Sequence, residues 1–91
     1  MKHEPIVSVV VAVHNMKGHI RQCIDSVLSQ SLQELELVLV DDVSTDGTAN
    51  ILREYAEKDK RVKLVWQTEN GGAQLARNAG IAVSSGRYIT T

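Results

Sequence analysis

The chain opens on a nearly continuous run of β-branched residues, Ile6-Val7-Ser8-Val9-Val10-Val11-Ala12-Val13. Such a run is typical of a strand that is covered on both faces, as in a parallel sheet. Two later segments also have strand character, Leu35–Val40 and Val62–Trp66, and a fourth begins at Arg87 and reaches Thr91. The sequence therefore predicts four strands.

Between the strands, the apolar residues follow helical spacing. The first predicted helix buries Ile20, Cys23, Ile24, Val27 and Leu28; the second buries Ile51, Leu52, Tyr55 and Ala56; the third buries Leu75, Ala76, Ala79, Ala82 and Val83. We expect Asn70 to cap the third helix and Gly86 to end it. The predicted order is β-α-β-α-β-α-β, and right-handed crossovers of this length give a three-layer α/β/α domain around one parallel sheet.

Composition excludes several classes of protein. The 91 residues carry a formal net charge of −1 with both signs mixed along the chain, so no basic stripe favours nucleic acid. No segment approaches the ~20 apolar residues of a membrane span. A single cysteine, Cys23, excludes an intramolecular disulfide and favours a reducing compartment, so we expect a cytoplasmic protein.

In an open parallel sheet, ligands bind outside the carboxyl ends of the strands. Three predicted loops lie there, at residues 14–18, 41–48 and 67–72, and they hold most of the short polar side chains. These loops are therefore the predicted binding site.

Two adjacent carboxylates, Asp41 and Asp42, follow the second strand. They repel one another unless a cation, amide donors or a ligand N–H offsets their charge. One interpretation has Asp42 accepting a hydrogen bond from a nucleobase or ribose. The other has Asp42 capping the turn before the next helix. The pattern alone leaves both open.

Other candidates also have two interpretations. In one interpretation, the side chains of His14 and Asn15 satisfy loop amides. In the other, His14 borders a planar base and Asn15 fixes the loop. Arg77, behind the Gly71-Gly72 turn, either reaches a diphosphate or is simply solvated. The three histidines lack the spacing of a metal site, so we predict none in this chain.

Three segments together resemble the N-terminal part of family 2 glycosyltransferases, which have the Rossmann-like GT-A fold. They are the first strand through His14-Asn15, the segment Val40-Asp41-Asp42-Val43-Ser44-Thr45-Asp46-Gly47-Thr48, and the segment Asn70-Gly71-Gly72-Ala73-Gln74-Leu75-Ala76-Arg77-Asn78-Ala79-Gly80. The similarity spans nearly the whole chain with consistent spacing.

The resemblance implies that this chain binds the nucleotide of a UDP-type sugar donor. Ala12 and His14 would line the base pocket, Asp42 would bind the base imide, and Arg77 would lie near the diphosphate. Asp41 and Ser44 would support the loop. Two positions depart from the family pattern: His14 stands in place of the usual Tyr, and Val43 in place of the usual Gly.

In this family the fourth strand leads into an Asp-x-Asp motif that holds a divalent cation, Mg²⁺ or Mn²⁺, on the diphosphate. No Asp-x-Asp occurs among residues 1–91, and the acceptor-side base would also lie outside them. We therefore expect residues 1–91 to be the nucleotide-binding part of an inverting glycosyltransferase, truncated before the motif, that binds a donor without transferring its sugar.

Three alternatives compete with this expectation. A receiver-type signalling module also has alternating elements and an acidic pair, although there the pair follows the first strand. A dehydrogenase half would need Gly-x-Gly-x-x-Gly after the first strand, and residues 14–18 contain one glycine. A non-enzymatic module would form a homo-oligomer through an exposed sheet edge.

Overall fold

A computed structural model describes residues 6–29, 34–69, 71–86 and 88–90. Strands and helices alternate throughout, as the hydrophobic periods predict. In chain order they are β1 (Val7–Val13), α1 (Ile20–Leu28), β2 (Leu35–Asp41), α2 (Thr48–Lys58), β3 (Val62–Trp66), α3 (Gly72–Val83) and β4 (Tyr88–Thr90). The predicted positions Arg87 and Thr91 of the fourth strand, and the predicted cap Asn70, lie outside the described residues.

The four strands form one parallel sheet in the order β3-β2-β1-β4. β1 pairs with β2 from Val7↔Leu35 to Val13↔Asp41 and with β4 from Val7↔Tyr88 to Val9↔Thr90. This is the Rossmann order, which confirms the predicted class; in the receiver-type order 2-1-3-4-5, β1 would lie beside β3. The strand order reverses between β1 and β4, and ligands bind at such a switch point.

Apolar residues cover both faces of the sheet. One core cluster packs α1 and α2 on the first face, with Ile20, Ile24 and Leu52 fully buried. The second, smaller cluster joins Val10, Val38 and Val40 of the sheet to Ala76 of α3. The predicted three-layer arrangement is therefore confirmed. None of the helices among the described residues is long and apolar enough to cross a membrane.

The buried face of α3 matches the prediction only in part: Ala76 and Ala79 pack against the core, whereas Leu75, Ala82 and Val83 do not. Ala76 and Gly80 are its buried residues, whereas Leu75 and Val83 are 58% and 41% exposed. The reason is close packing: a Cβ on Gly80 would lie 2.4 Å from Val10 Cγ1 and 2.8 Å from a methyl of Val40. A helix that approaches a sheet this closely turns its small residues inward.

Gly86 does not end α3, contrary to the prediction. The helix ends at Val83, and Ser84 caps it by donating its hydroxyl to the Gly80 carbonyl at 2.7 Å. Gly86 instead lies against β1, where an added Cβ would lie 2.6 Å from the backbone nitrogen of Ser8. The absence of a side chain there lets the α3–β4 connection lie against the sheet.

A buried carboxylate at the amino end of the strands binds the α3–β4 connection. Glu36, 8% exposed, accepts hydrogen bonds from the Ser8 hydroxyl at 2.8 Å, from the Ser85 N–H and hydroxyl at 3.1 Å each, and from Lys63 Nζ at 3.1 Å. The Ser8 hydroxyl in turn accepts from the Gly86 N–H at 2.8 Å. Burial raises the pKa of Glu36, but these hydrogen bonds together lower it below its usual value.

Replacing Gly80 with Ala should destabilise the domain by about 1–3 kcal/mol, because the new methyl meets two stiff, buried valines. In an exposed helix the same change is favourable by ~1 kcal/mol. Gly18→Ala is the control, since no atom lies within 4 Å of its added Cβ. Denaturant unfolding of both variants measures the difference, and equal stability for Gly80→Ala and wild type would contradict the close packing.

Glu36→Gln should lower the free energy of unfolding at pH 7 by about 1–3 kcal/mol, because a charged acceptor is lost from a buried network. The folded-state pKa is below the unfolded one of about 4.3, so the carboxylate's contribution is complete above pH 4.3 and is lost as the pH falls through the folded value. The wild type and the variant should converge at low pH. Exposed Glu57→Gln should not change stability at either pH, and a constant gap between wild type and Glu36→Gln from pH 7 to pH 2 would contradict the assignment.

Candidate functional site

The loops after β1 and β2 are joined through Asn15. Its backbone N–H donates to Ser44 Oγ at 2.9 Å, and its side-chain Oδ1 accepts from the Thr45 N–H at 2.7 Å. Asn15 adopts a left-handed backbone conformation, with φ of 48°, which asparagine tolerates better than most residues. One residue, through its backbone and its side chain, thus connects two loops that are about thirty residues apart in the chain.

Two further hydrogen bonds connect the loop after β1 to the start of α2. The Met16 N–H donates to Thr48 Oγ1 at 3.1 Å, and the Lys17 N–H donates to Asp46 Oδ2 at 3.1 Å. The other oxygen of Asp46 accepts from both the hydroxyl and the N–H of Thr48, at the first turn of α2. The hydroxyl contact above all lowers the pKa of Asp46. Asp46 is therefore a charged acceptor for both loops.

Asp42 connects the third loop. Its side chain is buried, at 4% exposure, and its two oxygens accept from the N–H groups of Gly71 and Gly72 at 3.2 and 3.1 Å. Its own N–H donates to the Val13 carbonyl at 2.7 Å. Asp42 therefore binds the amino end of α3, and both amides have a carboxylate partner within the chain.

Asp41 serves the opposite face of the sheet, because side chains alternate along a strand. It is 5% exposed, and its Oδ2 accepts from the Ser44 N–H at 3.1 Å, the Asx contact that we had considered for Asp42. Its Oδ1 is buried and has no hydrogen-bond partner among the described residues. The adjacent carboxylates are thus separated, and amide donors offset the charge of each.

The ring of His14 is fixed beside Asp42. His14 Nδ1 lies 2.6 Å from the Asp42 carbonyl oxygen, which only accepts, so Nδ1 carries the proton. Nε2 lies 3.5 Å from Asn15 Nδ2. The imidazole itself is exposed. His14 therefore presents an oriented aromatic surface next to the acidic pair.

The remaining two predicted residues lie at the margins of this cluster. Ala12, half-buried on β1, packs against the core cluster beneath α3. Arg77 lies one turn after Gln74 on α3 and donates to its side chain at 3.3 Å. The structure thus brings together His14, Asn15, Asp41, Asp42 and Ser44. Ala12 packs beneath α3, and the contact recorded for Arg77 is within its own helix.

Val43 has a strained backbone. Its φ is 55°, in the left-handed region, which costs an ordinary L-residue roughly 1–2 kcal/mol and is an outlier for a β-branched one. The conformation explains why glycine suits this position. Sequence reasoning noted the substitution but did not find the strain, and it also missed Gly71 and Thr45 as hydrogen-bond donors, since neither amide has a sequence signature.

No group of three or more His, Cys, Asp and Glu side chains within residues 6–29, 34–69, 71–86 and 88–90 is arranged to hold a metal ion.

Asp42→Ala should destabilise the domain by about 1–3 kcal/mol, because two amides lose a charged acceptor. Hydrogen exchange at the Gly71 amide should accelerate. The amides of α1 should exchange faster only as far as the loss of overall stability requires. Glu57→Ala removes an exposed carboxylate from α2 and is the matched control. If Gly71 exchanged at the wild-type rate in Asp42→Ala, the contact would not hold the loop.

The glycosyl transferase family 2 model matches residues 8–91. An uncharacterized glycosyltransferase of Haemophilus influenzae is 43% identical over 86 residues, which is 94% of this chain and 34% of that protein. Among solved structures, a mannosyltransferase from Pyrobaculum calidifontis in complex with GDP-Man and Mn²⁺ has a TM-score of 0.85 at 32% identity, over 94% of this chain and 26% of that one.

Staphylococcus aureus TarS in complex with UDP-GlcNAc has a TM-score of 0.84 at 31% identity, over 92% of this chain and 25% of that one. The chain thus spans a quarter to a third of the length of these relatives. Sequence and fold agree throughout the matched region: this chain belongs to glycosyl transferase family 2 and has the GT-A fold.

Proposed function

We propose that the protein transfers a sugar, with inversion, from a UDP-type donor to a glycan or other acceptor, and that residues 1–91 bind the donor nucleotide. The observation that carries this proposal is the meeting of three loops at the carboxyl ends of β1, β2 and β3, around Asp42 and the oriented ring of His14. Relatives in complex with UDP-GlcNAc and with GDP-Man support a nucleotide sugar as the ligand.

In this proposal His14 and Ala12 line the base pocket. Asp42 accepts the imide N–H of the base. Each of its oxygens already accepts one amide hydrogen bond, and a carboxylate oxygen has a second lone pair for a ligand. Asp41 and Ser44 hold the loop from beneath. Arg77 extends toward the diphosphate, where a guanidinium is a suitable partner.

We also propose that the whole enzyme uses a divalent cation, Mg²⁺ or Mn²⁺, whose ligands lie outside this chain. The mannosyltransferase in complex with GDP-Man and Mn²⁺ supports this proposal. The described residues of this chain act on the nucleotide by binding and orienting it.

We also propose that the protein is cytoplasmic, because the half-buried thiol of Cys23 suits a reducing compartment. Within the described sheet, β3 and β4 are the edge strands, and pairing of such an edge with a second copy would give a homo-oligomer.

His14→Ala should weaken UDP binding to the chain at least about fivefold, because aromatic stacking on a base contributes about 1–3 kcal/mol. NMR titration with UDP gives the dissociation constant, and thermal unfolding reports the fold. His19→Ala is the matched control: this exposed histidine precedes α1, and its side chain makes no capping hydrogen bond. We expect His19→Ala to bind as the wild type does.

Two results would contradict the proposal. The first is a wild-type chain that binds neither UDP nor GDP at millimolar concentration while folded. The second is an equal loss of affinity in His14→Ala and His19→Ala, which would place the nucleotide elsewhere.

A further inference from the structure

The residues on both sides of Val43 are fixed by hydrogen bonds. On one side, Asp42 is held by Val13, His14 and the α3 amides; on the other, Ser44 donates to Asp41 and accepts from Asn15. Val43, with its φ of 55°, therefore lies between two fixed residues, Asp42 and Ser44. These contacts impose the left-handed conformation on whichever residue stands there.

Glycine would adopt this conformation without strain. The valine side chain brings no visible compensation in folding: it is half-buried, and among the described residues it belongs to neither core cluster. A residue that adopts an unfavourable backbone conformation, and gains no core packing in return, indicates a functional position. Val43 also directly follows Asp42, the residue at the centre of the three loops.

We propose that Val43 is a specificity-determining residue for the nucleobase, with its isopropyl group forming an apolar wall that narrows the base site and favours a pyrimidine over a purine. This inference rests on the proposed function. A branched apolar side chain beside a polar acceptor is the usual composition of a ligand site, in which shape selects and a few polar groups orient.

The test compares the ratio of the GDP to the UDP dissociation constant in three chains. Val43→Gly should lower this ratio at least threefold, because the removed wall admits the larger base, while Tm stays unchanged or rises. Val43→Ala keeps a Cβ and its backbone restriction but removes the branched wall, so it should also lower the ratio. In the wild type, NMR should show contacts between the Val43 methyls and H5 or H6 of uracil.

A ratio in Val43→Gly within twofold of the wild-type value would overturn the inference. The inference would also be overturned if Val43→Gly lowered the ratio while Val43→Ala kept the wild-type ratio. Backbone freedom, and not the side chain, would then explain the effect. Failure of the proposed function itself is a different result: the folded wild type would bind neither nucleotide.

Discussion

The carboxylate of Asp42 binds the amino end of α3 to the carboxyl end of β2, and the arrangement of the binding loops depends on that contact. The buried carboxylate accepts hydrogen bonds from the N–H groups of Gly71 and Gly72, at the helix end where backbone donors have no partner within the helix. The same residue accepts from His14 through its backbone carbonyl. One position thereby coordinates three loops that are distant in sequence.

The division of roles between Asp41 and Asp42 follows from the pleat of the strand. Adjacent side chains point to opposite faces, so the first carboxylate meets the loop before α2 and the second meets the loop before α3. The sequence showed an acidic pair but left its partners open. Among the described residues, the Ser44 N–H donates to Asp41, and the N–H groups of Gly71 and Gly72 donate to Asp42.

Much of the fold was predictable because hydrophobic period is a local property. The β-branched run of β1, the spacing of Ile20 and Ile24 on α1, and the alternation of elements determine class and order. The orientation of α3 was not predictable, because Leu75 and Val83 fit a helical stripe as well as Ala76 does. The deciding factor is the close approach at Gly80, a long-range property that no periodicity reports.

The candidate site divides in the same way. Its location follows from topology, and its members were identifiable by residue type. Their hydrogen-bond partners were not, because backbone amides such as those of Thr45 and Gly71 have no side-chain signature. The bonds that connect residues 14–17 to residues 44–48 also make the two loops a matched pair. A chimaera with its junction in α1 would combine loops from different parents, whereas a junction after Lys58 would inherit both from one parent.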